Sequence, residues 1–233
     1  MAGTKQVSRE EWLSARKALL AKEKALTRQR DEVARARREL PRVRVDQEYV
    51  FDTLEGKRTL AQLFGGNSQL IVYHFMLGPG WDAGCKSCSY LADHFDGMLP
   101  HLAARDVRFV AVSRAPLAEI EKFRKRMGWR FPWVSSSGNE FNYDYHVSFR
   151  KEDLGKRKLE YNFKLGDVSM EELPGASVFC KDGSGEVYHT YSTYARGLDG
   201  LIGAYNWLDL APKGRDEEGL QYGMAWVRHH DKY

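Results

Sequence analysis

The sequence has no long apolar run. Uninterrupted apolar segments such as Leu70–Tyr73 reach four residues in a chain of 233, whereas a helix that crosses a bilayer needs about 20. The chain also lacks a basic start followed by an apolar stretch, which is the pattern of a secretory signal. We therefore expect a cytoplasmic protein with no membrane partner.

Cysteine is scarce, because the chain contains only three. Structural disulfides are rare in the cytoplasm, so the close pair Cys85 and Cys88 is more typical of redox chemistry or of metal binding. A zinc site usually needs a second pair of ligands. The third cysteine, Cys180, stands alone in an apolar segment, where a free thiol acts as a small hydrophobe. We therefore expect a redox pair and no bound metal.

Signals for nucleotides and nucleic acids are also missing. No glycine-rich loop of the Walker or dinucleotide type occurs, so the sequence predicts no cofactor. The net charge of +4 is too small to indicate a nucleic-acid partner on its own. The cysteine pair is thus the strongest chemical signal in the chain.

Residues 8–40 have the composition and caps of one long helix. Ser8 followed by Glu11 forms a capping box, and Pro41 ends the helix. Apolar residues form a thin stripe at helical spacing: Trp12, Ala15, Leu19 and Leu26. The segment is either a basic arm for nucleic acid or an amphipathic helix that packs on its own domain or on a second subunit. Interleaved acidic residues favour packing, so the helix is a candidate homodimer contact.

After Pro41 the pattern alternates between strands and helices. Predicted strands lie at 46–54, 69–76, 107–112 and 131–134, and predicted helices lie at 85–102, 116–127 and 198–208. Gly97 and Pro100 are candidate breaks in the first of these helices. Residues 175–180 and 185–191 form an antiparallel hairpin. This order predicts an α/β fold whose sheet has a parallel core.

Three segments carry a resemblance to known proteins. The order of strand, Cys-x-x-Cys, helix, βαβ unit and closing hairpin resembles the thioredoxin fold. "FDTLEGKRTLAQLFGG" resembles the opening hairpin of the alkyl hydroperoxide reductase and thiol-specific antioxidant branch. "YHFMLGPGWDAGCKSCS" and "LPGASVFCKDGSGEVYHTYSTYARGLDG" resemble a bacterial family of thioredoxin-like proteins whose function is unassigned.

The resemblance implies a thioredoxin-like α/β fold, a central mixed β-sheet flanked by helices, with a long N-terminal helical extension. Residues 1–41 are the extension, residues 42–212 are the thioredoxin-like domain, and residues 213–233 are a C-terminal tail. Residues 136–172 have no clear period and form an insertion in that domain. Their aromatic residues, together with the tail, are a hypothetical substrate wall.

The cysteine pair suits dithiol–disulfide exchange on a protein or a small thiol. Free N–H groups and the dipole at a helix N-terminus stabilise an anion, so Cys85 is the predicted attacking thiolate. Cys88 lies one turn later and is the predicted resolving thiol. Lys86 adds a nearby positive charge, although its side chain also suits solvent.

The resemblance extends to neighbouring residues. Pro174 stands where thioredoxins carry a cis-proline that faces the dithiol, although a plain strand-entry proline is an alternative. Thioredoxins keep a buried carboxylate on the preceding strand, and the corresponding position here is Tyr73 or His74. His74 is either a proton carrier or a core histidine, and we favour the core role. Trp81 either shields the sulfurs, docks substrate or packs its loop.

Two other functions stay open. A peroxiredoxin-like peroxidase needs Thr or Ser three residues before the reactive cysteine, but position 82 is Asp; Arg196 is a candidate for the arginine of that chemistry. Direct oxidation of Cys85 to a sulfenate would also suit a redox sensor. A non-catalytic thioredoxin-fold binding module is the third class, and the intact cysteine pair argues against it.

Overall fold

The computed structural model describes residues 5–233 and divides into two compact units, Met1–Pro41 and Arg42–Tyr233. The first unit is built on helix α1 (Arg9–Arg38). Its capping box forms as predicted: the backbone N–H of Glu11 donates to the Ser8 hydroxyl, and the Glu11 carboxylate accepts from the Ser8 backbone. No residue of α1 is buried, and the predicted apolar stripe is solvent-exposed within this unit.

The second unit contains an eight-stranded mixed sheet. Its strand order is β1-β10-β9-β4-β5-β6-β2-β3, in which β4, β5 and β6 run parallel and the other pairs are antiparallel. The strands are β1 (Val43–Arg44), β2 (Val50–Thr53), β3 (Gly56–Thr59), β4 (Gln69–His74), β5 (Val107–Ser113), β6 (Trp133–Ser135), β9 (Gly175–Lys181) and β10 (Val187–Tyr194).

Short helices cover both faces of this sheet. They are α2 (Leu60–Leu63), α3 (Lys86–Ala92), α4 (Phe95–Ala103), α5 (Leu117–Arg126), α6 (Phe141–Asp144) and α7 (Gly203–Leu208), with 3-10 helices at Ala195–Leu201 and His230–Lys232. A separate two-stranded sheet pairs β7 (Leu159–Tyr161) with β8 (Lys164–Gly166). The predicted order of elements, and with it the thioredoxin-like fold, is confirmed.

The central strand β4 supplies two cores, one on each face of the sheet. Because side chains alternate along a strand, Leu70 and Val72 join the core that contains α2 and α6, whereas Tyr73 joins the core that contains α3, α4 and α5. Leu70, Val72 and Tyr73 are all at most 2% exposed. The cysteine helix α3 therefore packs on the Tyr73 face.

Two predicted helices are each divided. The helix predicted at 85–102 breaks at Asp93 and His94 rather than at Gly97 or Pro100, which both lie inside α4. Asp93 caps α3, and its carboxylate accepts a hydrogen bond from the Trp129 indole at 2.8 Å, so the chain turns where this contact forms. The helix predicted at 198–208 is a 3-10 helix followed by α7, because Ile202 between them is extended.

The insertion and the tail both belong to the second unit. The insertion at 136–172 contains α6, β7 and β8. The tail at 213–233 is docked, since Val227 and His229 are buried. The ring Nε2 of His229 donates to the carbonyl oxygen of Gly84 at 2.8 Å, directly before the first cysteine of the pair.

Candidate functional site

The two close cysteines lie at the N-terminus of α3, after the loop that leaves β4. Cys85 is the N-cap residue of α3 and is half-buried, whereas Cys88 lies in the first turn and is buried. The backbone N–H of Cys85 donates to the carbonyl of Met76 at 3.0 Å. This bond ties the start of the helix to the chain that follows β4.

Gly84 allows the chain to reach this position. A Cβ atom at residue 84 would lie 2.5 Å from the ring of Phe75 and 2.7 Å from the ring of Phe123. Such distances are far inside van der Waals contact, so only glycine fits between the two rings. The position of Cys85 is therefore set by close packing of aromatic side chains behind it.

The environment shifts the pKa values of the two thiols in opposite directions. A hydrogen bond from the Cys88 thiol, together with the backbone N–H groups of Cys88 and Ser87, outweighs burial and lowers the pKa of Cys85 to about 6. Burial, the hydrogen bond to Cys85 and the charge of Cys85 raise the pKa of Cys88 well above its ordinary value. At neutral pH the stable arrangement is a Cys85 thiolate that accepts a hydrogen bond from a Cys88 thiol.

Tyr73 is the residue of β4 that meets the pair. Its hydroxyl is hydrogen-bonded to Cys88. Burial and the nearby thiols raise the pKa of this phenol well above its ordinary value, so it remains protonated. Tyr73 can therefore donate a hydrogen bond to a Cys88 thiolate, and it cannot serve as the base that removes the proton.

His74 lies on the opposite face of the sheet, as the alternation of side chains requires. Its ring nitrogens lie 2.9 Å from the Ser177 hydroxyl and 3.2 Å from the amide oxygen of Asn142. Burial lowers the pKa of His74 to about 4, so the ring is neutral. The structure therefore separates His74 from the thiols and gives it the contacts of a core histidine, and of the two candidates only Tyr73 is at the site.

A cavity of about 460 Å³ opens onto both sulfurs. Its floor is formed by Cys85, Cys88 and Tyr73. One wall comes from the 3-10 helix Ala195–Leu201 and the other from the tail. The other residues that line it are Ser87, Pro174, Ile202, Tyr205, Arg215, Glu217, Gly223 and Met224.

Glu217 holds the tail wall together. A single carboxylate oxygen, Oε1, accepts hydrogen bonds from the Tyr205 hydroxyl at 2.7 Å, from the Met224 backbone at 2.8 Å and from the Trp226 indole at 2.8 Å. The neighbouring Arg215 stacks over the Tyr205 ring at 3.8 Å. The tail is thus connected to α7 by side-chain contacts rather than by regular secondary structure.

Pro174 lines the cavity, but the expectation of a cis peptide bond there is wrong. Residues 5–233 contain no cis peptide bond. The Pro174 carbonyl oxygen accepts a hydrogen bond at 2.8 Å from the hydroxyl of Tyr161, a residue of the insertion. That hydroxyl in turn accepts from the backbone N–H of Ala195 at 3.0 Å.

Trp81 and Lys86 lie outside the set of residues that line the cavity. The half-buried Trp81 indole covers Gly78, where an added Cβ atom would lie 2.9 Å from its Nε1. This contact fits the loop-packing role. Lys86 is exposed at the first position of α3, and Asp82 is also exposed. Arg196 reaches the cavity with a side chain that is 90% exposed and donates to Asp199 at 3.2 Å.

The sequence indicated the tail as a hypothetical wall and five residues that line the cavity: Tyr73, Cys85, Cys88, Pro174 and Arg196. It did not identify Tyr205 or Glu217 individually, because no local pattern shows that they face the cysteines. Within residues 5–233 no group of three or more His, Cys, Asp or Glu side chains is arranged to hold a metal ion. In the same range no helix is long and apolar enough to span a membrane.

Comparison with known proteins identifies a family and several similar structures. The model of the family described as "Bacterial protein of unknown function (DUF899)" matches residues 1–233. No curated protein matches the chain. Peroxidoxin BcpB from Mycobacterium tuberculosis is 15% identical, with 70% of this chain and 94% of that chain covered and a TM-score of 0.46. A cysteine-to-serine mutant of peroxiredoxin Q from Xanthomonas campestris is 19% identical, with coverage of 68% and 90% and a TM-score of 0.43.

Proposed function

This chain belongs to the DUF899 family of bacterial proteins, and we propose that it is a thiol-disulfide oxidoreductase whose redox centre is Cys85 and Cys88. The observation that carries the proposal is the hydrogen-bonded pair of free thiols at the start of α3, open to one cavity. One thiol is half-buried and held as a thiolate, and the other is buried and held as a thiol. These are the properties that an attacking and a resolving cysteine need.

The exchange proceeds in two displacements. The Cys85 thiolate attacks one sulfur of a substrate disulfide, so that a mixed disulfide forms and the first substrate thiolate leaves. Cys88 then gives its proton to the substrate thiolate that has left, and the Cys88 thiolate attacks the Cys85 sulfur. The Cys85–Cys88 disulfide forms, the second substrate thiolate leaves, and two electrons have passed from the protein to the substrate.

The second displacement needs help, because Cys88 is the less acidic thiol. Burial is the largest cause of the raised Cys88 pKa and persists, but once Cys85 is in a mixed disulfide it carries no charge, so its contribution to that raised pKa disappears. The Tyr73 hydroxyl then donates to the developing Cys88 thiolate. In thioredoxins a buried carboxylate helps to deprotonate the resolving cysteine. Tyr73 would instead stabilise the Cys88 thiolate by donating a hydrogen bond, without removing the proton itself.

Peroxidase chemistry has weaker support at this site. The position three residues before Cys85 is the exposed Asp82, which would repel the thiolate and offers no hydroxyl to a peroxide. The Arg196 side chain is 90% exposed, and its contact with Asp199 does not direct it toward the Cys85 sulfur. Oxidation of Cys85 to a sulfenate that Cys88 then resolves is a secondary reaction of the same pair.

The proposal is tested by titrating the protein in defined redox buffers and counting free thiols by mass after trapping. We expect one two-electron step that is lost in Cys85→Ser and in Cys88→Ser. Cys180→Ser is the matched control, because Cys180 pairs with Gln69 at the far end of β4 from the redox centre. If Cys85 and Cys88 never pair across the accessible range of potentials, the exchange function is wrong.

A trapping experiment assigns the two roles. With a disulfide substrate, Cys88→Ser should accumulate a mixed disulfide on Cys85, because the resolving thiol is absent. Cys85→Ser should accumulate none, since the remaining thiol is buried and protonated. The opposite pattern would reverse the assignment.

A further inference from the structure

We propose that the substrate of this site is a low-molecular-weight disulfide that carries carboxylate groups, and not a disulfide within an extended protein segment. This inference rests on the exchange function proposed above. It comes from three features around the sulfurs: the backbone beside them, the wall formed by the tail, and the charged groups at the cavity mouth.

The backbone that leads to Pro174, beside the dithiol, is already paired with another segment of the chain. An extended peptide binds a protein by adding to a free strand edge through backbone hydrogen bonds. Here the segment that leads to Pro174 is paired within the chain: Leu173 N–H donates to the Val147 carbonyl at 2.8 Å, and Phe149 N–H donates to the Glu171 carbonyl at 2.9 Å. The insertion thus occupies the place of a peptide substrate.

The next acceptor along this segment is occupied as well. The Pro174 carbonyl accepts from the Tyr161 hydroxyl, and that hydroxyl also binds the N–H of Ala195. Tyr161 therefore closes the space between Pro174 and the 3-10 helix that begins at Ala195. Backbone recognition of a protein strand at this point would require breaking the contacts of the insertion.

The tail limits access from the other side. Glu217, Gly223 and Met224 line the cavity, and the three hydrogen bonds to the Glu217 carboxylate hold this wall against Tyr205 and Trp226. The cavity volume of about 460 Å³ lies within the range of roughly 300–1,000 Å³ that is typical of small-molecule sites. A small disulfide fits this space, whereas a disulfide in a folded protein must pass the tail.

The charged groups indicate which small disulfides bind. Leu198, Ile202 and Met224 give the cavity apolar surface, and its charged residues are Arg196, Asp199, Arg215 and Glu217. Arg215 contacts Asp199 and Asp209, and Glu217 accepts three hydrogen bonds, whereas the Arg196 side chain is 90% exposed. Arg196 uses its Nε to contact Asp199, so its terminal nitrogens are free to face a ligand. A guanidinium binds a carboxylate with matching geometry, which favours disulfides of amino-acid-derived thiols.

The reaction balances with the substrate disulfide as the oxidant. Cys85 forms a bond to one substrate sulfur as the substrate S–S bond breaks, and Cys88 then forms the Cys85–Cys88 bond as the mixed disulfide breaks. The protein loses two electrons, the single proton of the reduced pair passes from Cys88 to one substrate thiolate, and the other substrate thiol leaves as a thiolate that solvent can protonate. A single turnover of the reduced protein therefore needs no other reagent.

The test is single-turnover oxidation of the reduced protein, followed by trapping of free thiols at set times. The probes are cystine, cystamine, which lacks the carboxylates, and insulin, whose disulfides lie in a protein. Cystine should oxidise the pair faster than insulin does. Met224→Trp should slow the reaction with cystine by about tenfold, because it fills the cavity. Met170→Trp is the matched control at an exposed position away from the cavity.

Arg196→Ala gives an independent arm that does not depend on packing. Arg196→Ala should slow oxidation of the pair by cystine about threefold, the size expected of an exposed ion pair. It should leave the rate of oxidation by cystamine unchanged. Equal slowing of cystine and cystamine would overturn the carboxylate assignment. If insulin oxidised the pair as fast as cystine does, the small-substrate assignment would be wrong, but the exchange function would still stand. A pair that no probe oxidises would instead refute the exchange function itself.

Discussion

At the scale of single residues, the reactivity of Cys85 depends on how its charge is stabilised. The largest contribution is the hydrogen bond from Cys88, and backbone N–H groups of the helix N-terminus add to it. Burial acts in the opposite direction. The pKa of Cys85 is therefore a property of the pair, and changing Cys88 must change the acidity of Cys85.

The pH dependence of alkylation tests this coupling. In Cys180→Ser, the rate at which Cys85 reacts with iodoacetamide should rise with pH and be half-maximal near pH 6, because the thiolate is the reactive form and exists above the pKa. Adding Cys88→Ala should move the midpoint upward, since the main hydrogen-bond donor is lost. A midpoint near that of a free thiol in both proteins would contradict the assignment.

Tyr73→Phe tests the hydrogen bond to the resolving thiol. Loss of the hydroxyl should slow the release of the mixed disulfide by about tenfold. A hydrogen bond to a charged group contributes roughly 1.5–3 kcal/mol, and part of that stabilisation is already present in the transition state, where Cys88 becomes a thiolate. Alkylation of Cys85 should be nearly unchanged. The measurement is the lifetime of the mixed disulfide formed with a small disulfide.

The control for Tyr73→Phe is Tyr145→Phe, which removes a tyrosine hydroxyl in the core on the opposite face of the sheet. It should leave the lifetime of the mixed disulfide unchanged. A similar effect of both substitutions would indicate a general loss of packing rather than a role for Tyr73.

The sequence alone assigned the position of the thioredoxin buried carboxylate to Tyr73 or His74 but could not distinguish between the two. Adjacent residues of a strand face opposite sides, so the choice depends on which face carries α3. That information lies in the packing of α3 on the sheet and not in the local pattern. The cysteines themselves could be predicted, because their spacing and helix position are local features.

At the scale of elements, the buried strands and the hairpin could be predicted, whereas the break between α3 and α4 could not. Apolar runs identify β4 and β5 without further context. The break depends on Asp93, whose partners Trp129 and His230 lie far away in the sequence. The insertion was equally unreadable, because buried Glu172 holds it through Arg114 at 2.6 Å and Ser148 at 2.6 Å.

The loop before α3 offers a test of packing at the element scale. Gly84→Ala should lower the free energy of unfolding by about 1–3 kcal/mol, because the added methyl group overlaps the rings of Phe75 and Phe123. The same change should slow alkylation of Cys85 by displacing the start of α3. Urea unfolding and alkylation rates measure the two effects.

Gly97→Ala is the matched control. Gly97 lies inside α4, and an added Cβ atom meets nothing within 4 Å. The substitution should raise the free energy of unfolding by about 0.5–1 kcal/mol, since alanine favours the helix. If Gly84→Ala were as harmless as Gly97→Ala, the close packing behind Cys85 would not constrain the site.

At the scale of the whole molecule, the site is assembled from segments that are distant in the sequence. The thiols come from the start of α3, their hydrogen-bond partner from β4, and the walls from the 3-10 helix, α7 and the tail. The aromatic insertion and the tail were hypothetical walls on composition alone. The tail lines the cavity, and Tyr161 of the insertion contacts Pro174, which also lines it. Both contacts depend on the folded chain, so no local sequence signal could have identified Tyr161 or Glu217.

The tail wall should respond to pH through Glu217. Although burial raises the pKa of this carboxyl, hydrogen bonds from Tyr205, Trp226 and Met224 lower it overall below its ordinary value. A lowered pKa in the folded state means that the carboxylate stabilises the protein above the ordinary pKa of about 4.5. That stabilisation is lost as the pH falls through the lower, folded-state pKa.

Glu217→Gln measures this contribution. The neutral amide still accepts hydrogen bonds but more weakly, so the free energy of unfolding at pH 7 should fall by about 1–2 kcal/mol. The difference from the wild-type protein should shrink as the pH is lowered below 4.5, because the wild-type carboxylate becomes protonated. Glu218→Gln, at the exposed neighbouring position, should show no such difference. If the difference in the free energy of unfolding between Glu217→Gln and wild type were the same at every pH, the packing of the side chain, and not its charge, would stabilise the tail wall beside the thiols.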